Sequence, residues 1–203
     1  MNKPSTARAY RMVARAEAAA RTAEDILAAT AALWREGGFD EITLEAIAER
    51  AGVSTRTVLR RFGSRDGVIG ATIEVEGVKI DAERGRAVAG DVDGALDVLL
   101  GHYERDGDPV LRNLAVEGRV AEAKAVAEQG RAAHRAWCAR VFAPHLPSPE
   151  EPDYATRLDA LVAATDLYLW KLLRRDLGRS VEETRRVLRM LIDGLLEDLT
   201  PDA

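Results

Sequence analysis

Apolar residues recur at three- and four-residue spacing along most of the chain, which predicts helices rather than strands. The pattern stops and restarts within residues 43–62. An apolar face that includes Ile47 ends before Gly52, and a new face begins with Val58 and Phe62. This stretch therefore predicts two short helices joined by a tight turn.

The residue types at the helix boundaries support the same interpretation. Thr43 and Ser54 each stand directly before a predicted helix, where a hydroxyl oxygen can accept from free backbone N–H groups. Gly52 suits the turn because glycine adopts positive φ without a steric penalty. Two short helices joined in this way form a helix-turn-helix, whose second helix enters the DNA major groove. The pattern indicates sequence-specific DNA binding.

Further helices are predicted on both sides of this motif. A first helix is expected from about Thr22 to Glu36, with Thr22 as its N-cap and Gly37-Gly38 at its end. A fourth helix is expected from Arg65 to about Arg86, after a short glycine-containing loop.

Five more helical segments are predicted beyond residue 90, separated by turn-forming residues. Their approximate ranges are 92–105, 109–119, 121–143, 153–178 and 181–199. A capping-box pattern, Ser180-x-x-Glu183, supports the start of the last helix. We expect an all-α protein of about nine helices. Its predicted parts are a basic arm or helical extension at 1–20, a three-helix DNA-binding domain at 21–66 and a larger helical domain at 67–203.

The last two predicted helices, 153–178 and 181–199, carry apolar stripes that are wider than one neighbouring helix would cover. A homodimeric helix bundle would bury the surplus, and an ordinary intramolecular core is the alternative. Dimerisation also suits a short helix-turn-helix, because dimers contact two half-sites one helical turn apart.

The composition suits a cytoplasmic helical protein without a metal or cofactor. Hydrophobic residues make up 47% of the 203 residues, enough for a sizeable core. No apolar run approaches the roughly 20 residues of a membrane span, and the N-terminus lacks a signal-peptide pattern. The single cysteine excludes an internal disulfide, and the three histidines lack the spacing of zinc ligands.

The net charge of −5 is distributed unevenly. Residues 1–70 hold 11 Lys/Arg against 9 Asp/Glu, whereas the remaining residues hold 18 against 25. Residues 54–65 contain four arginines and no acidic residue. A local basic patch of this kind is typical of a DNA-binding surface, although a solvated helix face would look similar.

Residues 22–70 resemble the N-terminal domain of the TetR family of bacterial transcriptional regulators. The matching motif residues are Gly38-Phe39, Thr43, Ile47-Ala48, Ala51-Gly52-Val53-Ser54, Phe62 and Arg65. Two positions depart from the family pattern, since Leu59 replaces the usual Tyr and Arg61 the usual His. That Tyr and His commonly hold DNA phosphates, so the resemblance implies that phosphate binding has moved onto arginine here. An interaction protein whose helix-turn-helix no longer binds DNA stays open as an alternative.

The resemblance implies roles for the recognition helix, 54–62, and its surroundings. Arg56 is expected to bind a base edge, because bidentate Arg–guanine pairs are the commonest specific contact. Thr57 could contact a base or a phosphate, and Leu59 could touch a thymine methyl. Segment 1–20 could reach the minor groove or be disordered. The predicted DNA contacts are Thr43, Ser54, Thr55, Arg56, Thr57, Leu59, Arg60, Arg61 and Arg65, with Thr43, Arg60, Arg61 and Arg65 assigned to phosphates.

The resemblance also implies that the domain at 67–203 binds a small-molecule effector and dimerises, and that the protein is a ligand-responsive repressor of a palindromic operator. The candidate ligand contacts are aromatic and polar residues on otherwise apolar helices: His102, Tyr103, Asn113, His134, Trp137, Cys138, Tyr168 and Trp170. The alternative for each is an ordinary core residue. An apolar or aromatic effector is favoured. The chain shows no catalytic, Walker or dinucleotide-binding motif, so no enzymatic activity is expected.

Overall fold

The computed structural model describes residues 5–39 and 41–197, and these residues form the predicted all-α fold, with no strand among them. The helices are α1 (Ser5–Glu36), α2 (Leu44–Arg50), α3 (Thr55–Phe62), α4 (Arg65–Arg84), α5 (Val92–Val116), α6 (Ala121–Val141), α7 (Tyr154–Ala164), α8 (Leu167–Lys171) and α9 (Val181–Glu197). A 3₁₀ turn, Ala143–His145, follows α6, and a π-helical turn, Leu172–Asp176, follows α8. Within the described ranges, none of the helices is long and apolar enough to cross a membrane.

The chain forms two compact units, and the first ends at Gly77 within α4. In this unit Ile26 of α1, Ile47 of α2 and Val58 of α3 are fully buried. Phe39 and Ile42, in the segment between α1 and α2, are also buried. The helix-turn-helix therefore rests on a packed three-helix core.

Helix α1 is longer than predicted. It begins at Ser5, so the helical extension is present and the prediction that Thr22 is an N-cap is wrong. Thr22 lies inside the helix, where its hydroxyl donates to the carbonyl of Ala18 at 2.8 Å. The preceding sequence is rich in alanine and arginine, whose high helix propensity continues the helix towards the N-terminus. Residues 1–4 of the predicted arm lie outside the described residues.

Helix α5 is continuous where the sequence predicts a break at residues 106–109. Gly107 lies inside this helix and not in a turn. Its backbone packs closely on Trp170, since a Cβ atom at this position would lie 2.6 Å from the ring. Asp106 is buried and accepts from Arg105 Nε at 2.8 Å, and Pro109 is buried inside the helix. Tertiary packing thus overrides a local turn signal.

The predicted helix at 153–178 is instead divided in two. Helix α7 ends at Ala164, and Thr165 Oγ1 donates to Leu161 O at 2.7 Å. Asp166 then caps α8 by accepting from the backbone N–H of Tyr168 at 2.8 Å. This division offsets the continuity of α5, so residues 5–39 and 41–197 form nine α-helices, as many as predicted but with different boundaries.

The second unit, which begins at Val78, is organised around α5. Helix α5 packs against α6, α8 and α9, and Leu96 and Leu99 of α5 are buried in the shared core. The predicted capping box at the start of α9 is confirmed. Glu183 N donates to Ser180 Oγ at 3.1 Å, and Ser180 N donates to Glu183 Oε2 at 2.8 Å.

Candidate DNA-binding surface and buried polar cluster

Hydroxyl groups fix the start of each helix of the helix-turn-helix. Ser54 Oγ accepts from the backbone N–H of Thr57 at 3.2 Å and lies 2.9 Å from Thr57 Oγ1. Thr43 Oγ1 accepts from the N–H of Ala46 at 3.1 Å. Gly52, in the turn, has a φ of +65°. Both predicted caps and the predicted turn residue are confirmed, and Thr43 and Ser54 remain exposed.

Helix α3 has one buried face and one exposed face. Val58 is fully buried and anchors the helix on the core. The exposed side chains are Arg56, Leu59, Arg60 and Arg61, and the half-buried ones are Thr55, Thr57 and Phe62. Helix α3 contains no acidic residue, and its three arginines form no ion pair with the part of the chain that the structure describes. The outer face therefore offers three guanidinium groups and one apolar side chain, Leu59, which is 40% exposed.

Arg65 has a different environment from the arginines of α3. Its Nε donates to Ile42 O at 2.7 Å, its Nη2 donates to Phe39 O, and its Nη1 donates to Asp66 Oδ1 at 3.1 Å. The side chain thereby ties the segment before α2 to the start of α4. The predicted phosphate contact of Arg65 stays a prediction, and the structure adds a positioning role that the sequence pattern did not indicate.

The segment that forms this surface matches a known protein family. Residues 26–72, from within α1 to within α4, match the family described as bacterial regulatory proteins, tetR family. Residues 26–72 of this chain resemble the DNA-binding domain of that family. The resemblance found in the sequence is confirmed over these residues, which hold the helix-turn-helix.

A solved structure extends the similarity to the second unit. The crystal structure of a transcriptional regulator from Rhodococcus sp. Rha1 matches this chain with a TM-score of 0.66 and 20% sequence identity. The match covers 88% of this chain and 99% of that one, so the two proteins share a fold over nearly their whole length. No curated protein matches the sequence.

Five of the eight candidate ligand contacts meet inside the second unit. They lie with two residues that the sequence analysis missed, Arg84 at the end of α4 and Thr165 after α7. We call this set the polar cluster: Arg84, His102, Tyr103, His134, Trp137, Cys138 and Thr165. Nothing in the local sequence marks Arg84 or Thr165, because their neighbours in the cluster come from distant helices.

The other three candidate ligand contacts make no hydrogen bond to the polar cluster among the described residues, although the Trp170 ring packs on the Tyr103 ring with 6.0 Å between ring centres. Asn113 is buried between α5 and α6, where its Nδ2 donates to Ala123 O at 3.0 Å. Trp170 is fully buried, and its Nε1 donates to Glu104 Oε1 at 2.7 Å. Tyr168 is 58% exposed, and its predicted ligand contact stays a prediction.

A directed chain of hydrogen bonds runs through the polar cluster. Arg84 Nη1 lies 3.0 Å from His134 Nδ1, and arginine can only donate, so this nitrogen accepts and the imidazole proton is on Nε2. His134 Nε2 is 3.1 Å from Thr165 Oγ1, whose own proton goes to Leu161 O. Arg84, His134 and Thr165 therefore hold one another in a single arrangement.

Burial sets the ionisation of the groups in the polar cluster. Burial, with a further contribution from the Arg84 charge, lowers the pKa of His102 and of His134 to about 4. Burial raises the pKa of the Cys138 thiol to about 11 and that of the Tyr103 hydroxyl to about 12. Both imidazoles are therefore neutral at pH 7, and Arg84 is the only member of the cluster that carries a charge there.

The backbone at the end of α4 is held by α6. Trp137 Nε1 donates to Arg84 O at 3.0 Å. Arg140 donates from Nη2 to the same carbonyl at 3.0 Å and from Nη1 to Ala87 O at 2.7 Å. Arg84 is thus fixed through both its side chain and its carbonyl, which links the polar cluster to the position of α4.

Proposed function

We propose that this chain is a transcriptional regulator of the TetR family: a ligand-responsive repressor that acts in the cytoplasm, as a homodimer on a palindromic operator. The observation that carries the proposal is the capped helix α3, whose outer face bears exposed arginines without acidic partners among the described residues. We assign DNA binding to residues 21–66, and effector binding and dimerisation to residues 67–203. The proposal gives the chain no catalytic activity.

The exposed side chains of α3 divide into two kinds of DNA contact. Arg56, in the first turn, is proposed to bind a guanine edge, because the first turn of a recognition helix reaches the bases. Arg60 and Arg61, in the last turn, are proposed to bind phosphates together with the Thr43 hydroxyl. Leu59 offers an apolar surface suited to a thymine methyl.

Unburied apolar residues at the C-terminal end of the chain support the homodimer. Met190 and Leu191 of α9 are 73% and 43% exposed, although the same helix buries Leu188 and Ile192 in its own unit. Tyr168 and Leu172, four residues apart, are also largely exposed. A second copy of the chain would bury these apolar side chains, as in the self-complementary interface of a homodimer.

The polar cluster suits the proposed response to a ligand. A ligand that binds there better when the Arg84–His134 contact is open would favour a different position of the end of α4. Because α4 begins directly after the recognition helix, such a change would alter the DNA affinity of the dimer.

The proposal is tested by measuring binding to the intergenic DNA upstream of the protein's own gene and its neighbours, with shuffled DNA of the same composition as control. We expect binding at least 10³-fold tighter than to shuffled DNA, roughly the lower end for specific regulators. Footprinting should show two half-sites about 34 Å apart. A reporter gene placed behind that DNA should be expressed less when the protein is present.

Two outcomes would contradict the proposal. Equal affinity for native and shuffled DNA would show that α3 does not select a sequence, and would favour an interaction protein that has lost DNA recognition. Higher reporter expression in the presence of the protein would show activation instead of repression.

A further inference from the structure

The charge balance of the polar cluster is unusual for a buried site. Arg84 is half-buried, and no carboxylate lies within ion-pair distance of its guanidinium among the residues that the structure describes. The nearby carboxylates of Glu83 and Asp106 are paired with Arg105, each at 2.8 Å. A cation that is partly removed from water is stabilised by a nearby negative charge. The cluster thus holds one positive charge without a counter-ion.

Several N–H groups around Arg84 also lack acceptors. His134 Nδ1 accepts one hydrogen bond from the guanidinium at 3.0 Å, and the Tyr103 hydroxyl oxygen accepts another. The remaining guanidinium N–H groups have no acceptor in the described part of the chain. His102 Nδ1 accepts from Arg105 at 3.2 Å, which puts the imidazole proton on Nε2, and this proton has no described acceptor either. The cluster is rich in donors and short of acceptors.

Aromatic rings surround the same guanidinium. Arg84 Cζ lies 5.5 Å from the centre of the Tyr103 ring and 5.3 Å from that of Trp137. Trp137 in turn lies against Phe142, with 6.3 Å between ring centres. A ligand that binds beside Arg84 therefore needs a hydrogen-bond acceptor with one negative charge to pair with the guanidinium. It also needs an apolar body to pack on these rings.

We propose that the polar cluster binds a small organic carboxylate with an apolar or aromatic body, and that Arg84 is its anchor. The guanidinium fork matches the two oxygens of a planar carboxylate, and a single cation balances a single negative charge. A phosphate ester, with close to two negative charges, would leave charge uncompensated at one arginine. This inference deepens the proposed ligand response and rests on the same site.

The test is calorimetric titration of the full chain at pH 7.5 with phenylacetate and with octanoate. The matched controls are phenylacetamide and octanamide, which keep the body of each ligand and remove its charge. We expect at least one carboxylate to bind with a Kd of about 1 mM or tighter. Its amide should bind at least about tenfold weaker, since a hydrogen bond to a charged group is worth more than one to a neutral group. Inorganic phosphate should not compete.

Variants at position 84 test whether Arg84 causes the preference for a carboxylate over its amide. Arg84→Gln keeps a donor for His134 and should abolish the preference for carboxylate over amide. Arg84→Lys keeps the charge and should retain the preference at lower affinity. Arg86→Gln removes an exposed arginine two residues away and should bind like the unchanged chain. If Arg84→Gln does not fold, Arg84→Lys and the carboxylate–amide comparison in the unchanged chain still decide the question.

The inference is overturned if neither carboxylate binds saturably, if amides bind as tightly, if phosphate competes, or if Arg86→Gln weakens binding as much as Arg84→Gln does. Operator affinity, measured separately with and without each ligand, keeps the two proposals apart. Carboxylates that bind through Arg84 without releasing DNA would uphold this site and refute the ligand response. Amides that bind equally well and release DNA would refute the carboxylate site and uphold the ligand response.

Discussion

Three arginines show how the surroundings of a residue decide its role. Arg56 is exposed on α3 and has no acidic partner among the described residues, so it is available to DNA. Arg65 donates to two backbone carbonyls and positions the helix-turn-helix from within. Arg84 lies between aromatic rings in the second unit. The sequence alone indicated DNA binding by Arg56 and a phosphate contact by Arg65. It gave no sign of the role of Arg84.

At the residue scale, the division of labour on α3 can be tested with Arg56 and Arg61. Arg56→Ala should cost about 1–3 kcal/mol on the operator and relax the preference at one base pair, because a base contact is lost. Arg61→Ala should weaken binding to all sequences and reduce the slope of log K against log salt by about one, because a phosphate contact is lost. Fluorescence anisotropy over a salt series measures both effects.

Each of these variants is the control for the other. Equal losses on operator and shuffled DNA for Arg56→Ala would refute its base contact. An unchanged salt slope for Arg61→Ala would refute its phosphate contact.

Helix boundaries were predictable where the signal is local. The caps at Thr43, Ser54 and Ser180 were predicted correctly, because a cap involves only residues within three positions along the chain. The break predicted near Pro109 is absent, because packing against Trp170, more than sixty residues away, decides that region. Periodicity alone cannot show such a distant contact.

The same distinction applies to the candidate sites. The exposed face of α3 could be predicted, because helical spacing fixes which side chains lie opposite Val58. The polar cluster was predicted only in part, since it joins residues from α4, α5, α6 and the α7–α8 junction. The exposure of Tyr168 could not be predicted, because helical spacing does not show which stripe of a broadly apolar helix faces the core.

At the scale of elements, two glycines of α5 should respond oppositely to alanine. Gly107→Ala should lower the free energy of unfolding by about 1–3 kcal/mol, because the added Cβ atom overlaps the Trp170 ring. Gly101→Ala is the matched control. No atom lies within 4 Å of its Cβ position, so the higher helix propensity of alanine should raise stability by up to about 1 kcal/mol. Urea denaturation gives both values, and two shifts of the same sign would refute the packing role of Gly107.

At the scale of the whole molecule, dimerisation should depend on the exposed apolar face of α9. The unchanged chain should be a dimer in size-exclusion chromatography with light scattering, and Leu191→Glu should be a monomer, because a buried carboxylate at the interface lacks a partner. Val88→Glu is the control, since Val88 is 64% exposed and lies outside α9. A monomeric unchanged chain, or dissociation by both substitutions, would contradict this interface.

The stability of the whole chain should fall in mildly acidic solution. His102 and His134 have a pKa of about 4 when folded, below the ordinary value of about 6.5, so the unfolded chain binds more protons between these pH values. Stability should therefore be full above pH 6.5 and decrease as the pH falls towards 4, by at most about 1.4 kcal/mol per pH unit for each histidine. Urea denaturation from pH 7.5 to 5 measures the slope. The double variant His102→Gln/His134→Gln should flatten it, and an equally steep slope in that variant would refute the assignment.

The position of the single cysteine makes it a reporter of local opening around the polar cluster. Cys138 is fully buried beside His134 and Thr165, and burial raises the pKa of its thiol to about 11. Only an accessible thiolate attacks a thiol reagent, so labelling must wait for the surrounding helices to part. The ratio of the labelling rate in the native chain to that in the unfolded chain gives the equilibrium constant for local opening around Cys138. If operator DNA or a carboxylate slows or speeds the labelling, its binding changes the equilibrium of local opening. The measurement needs no engineered probe.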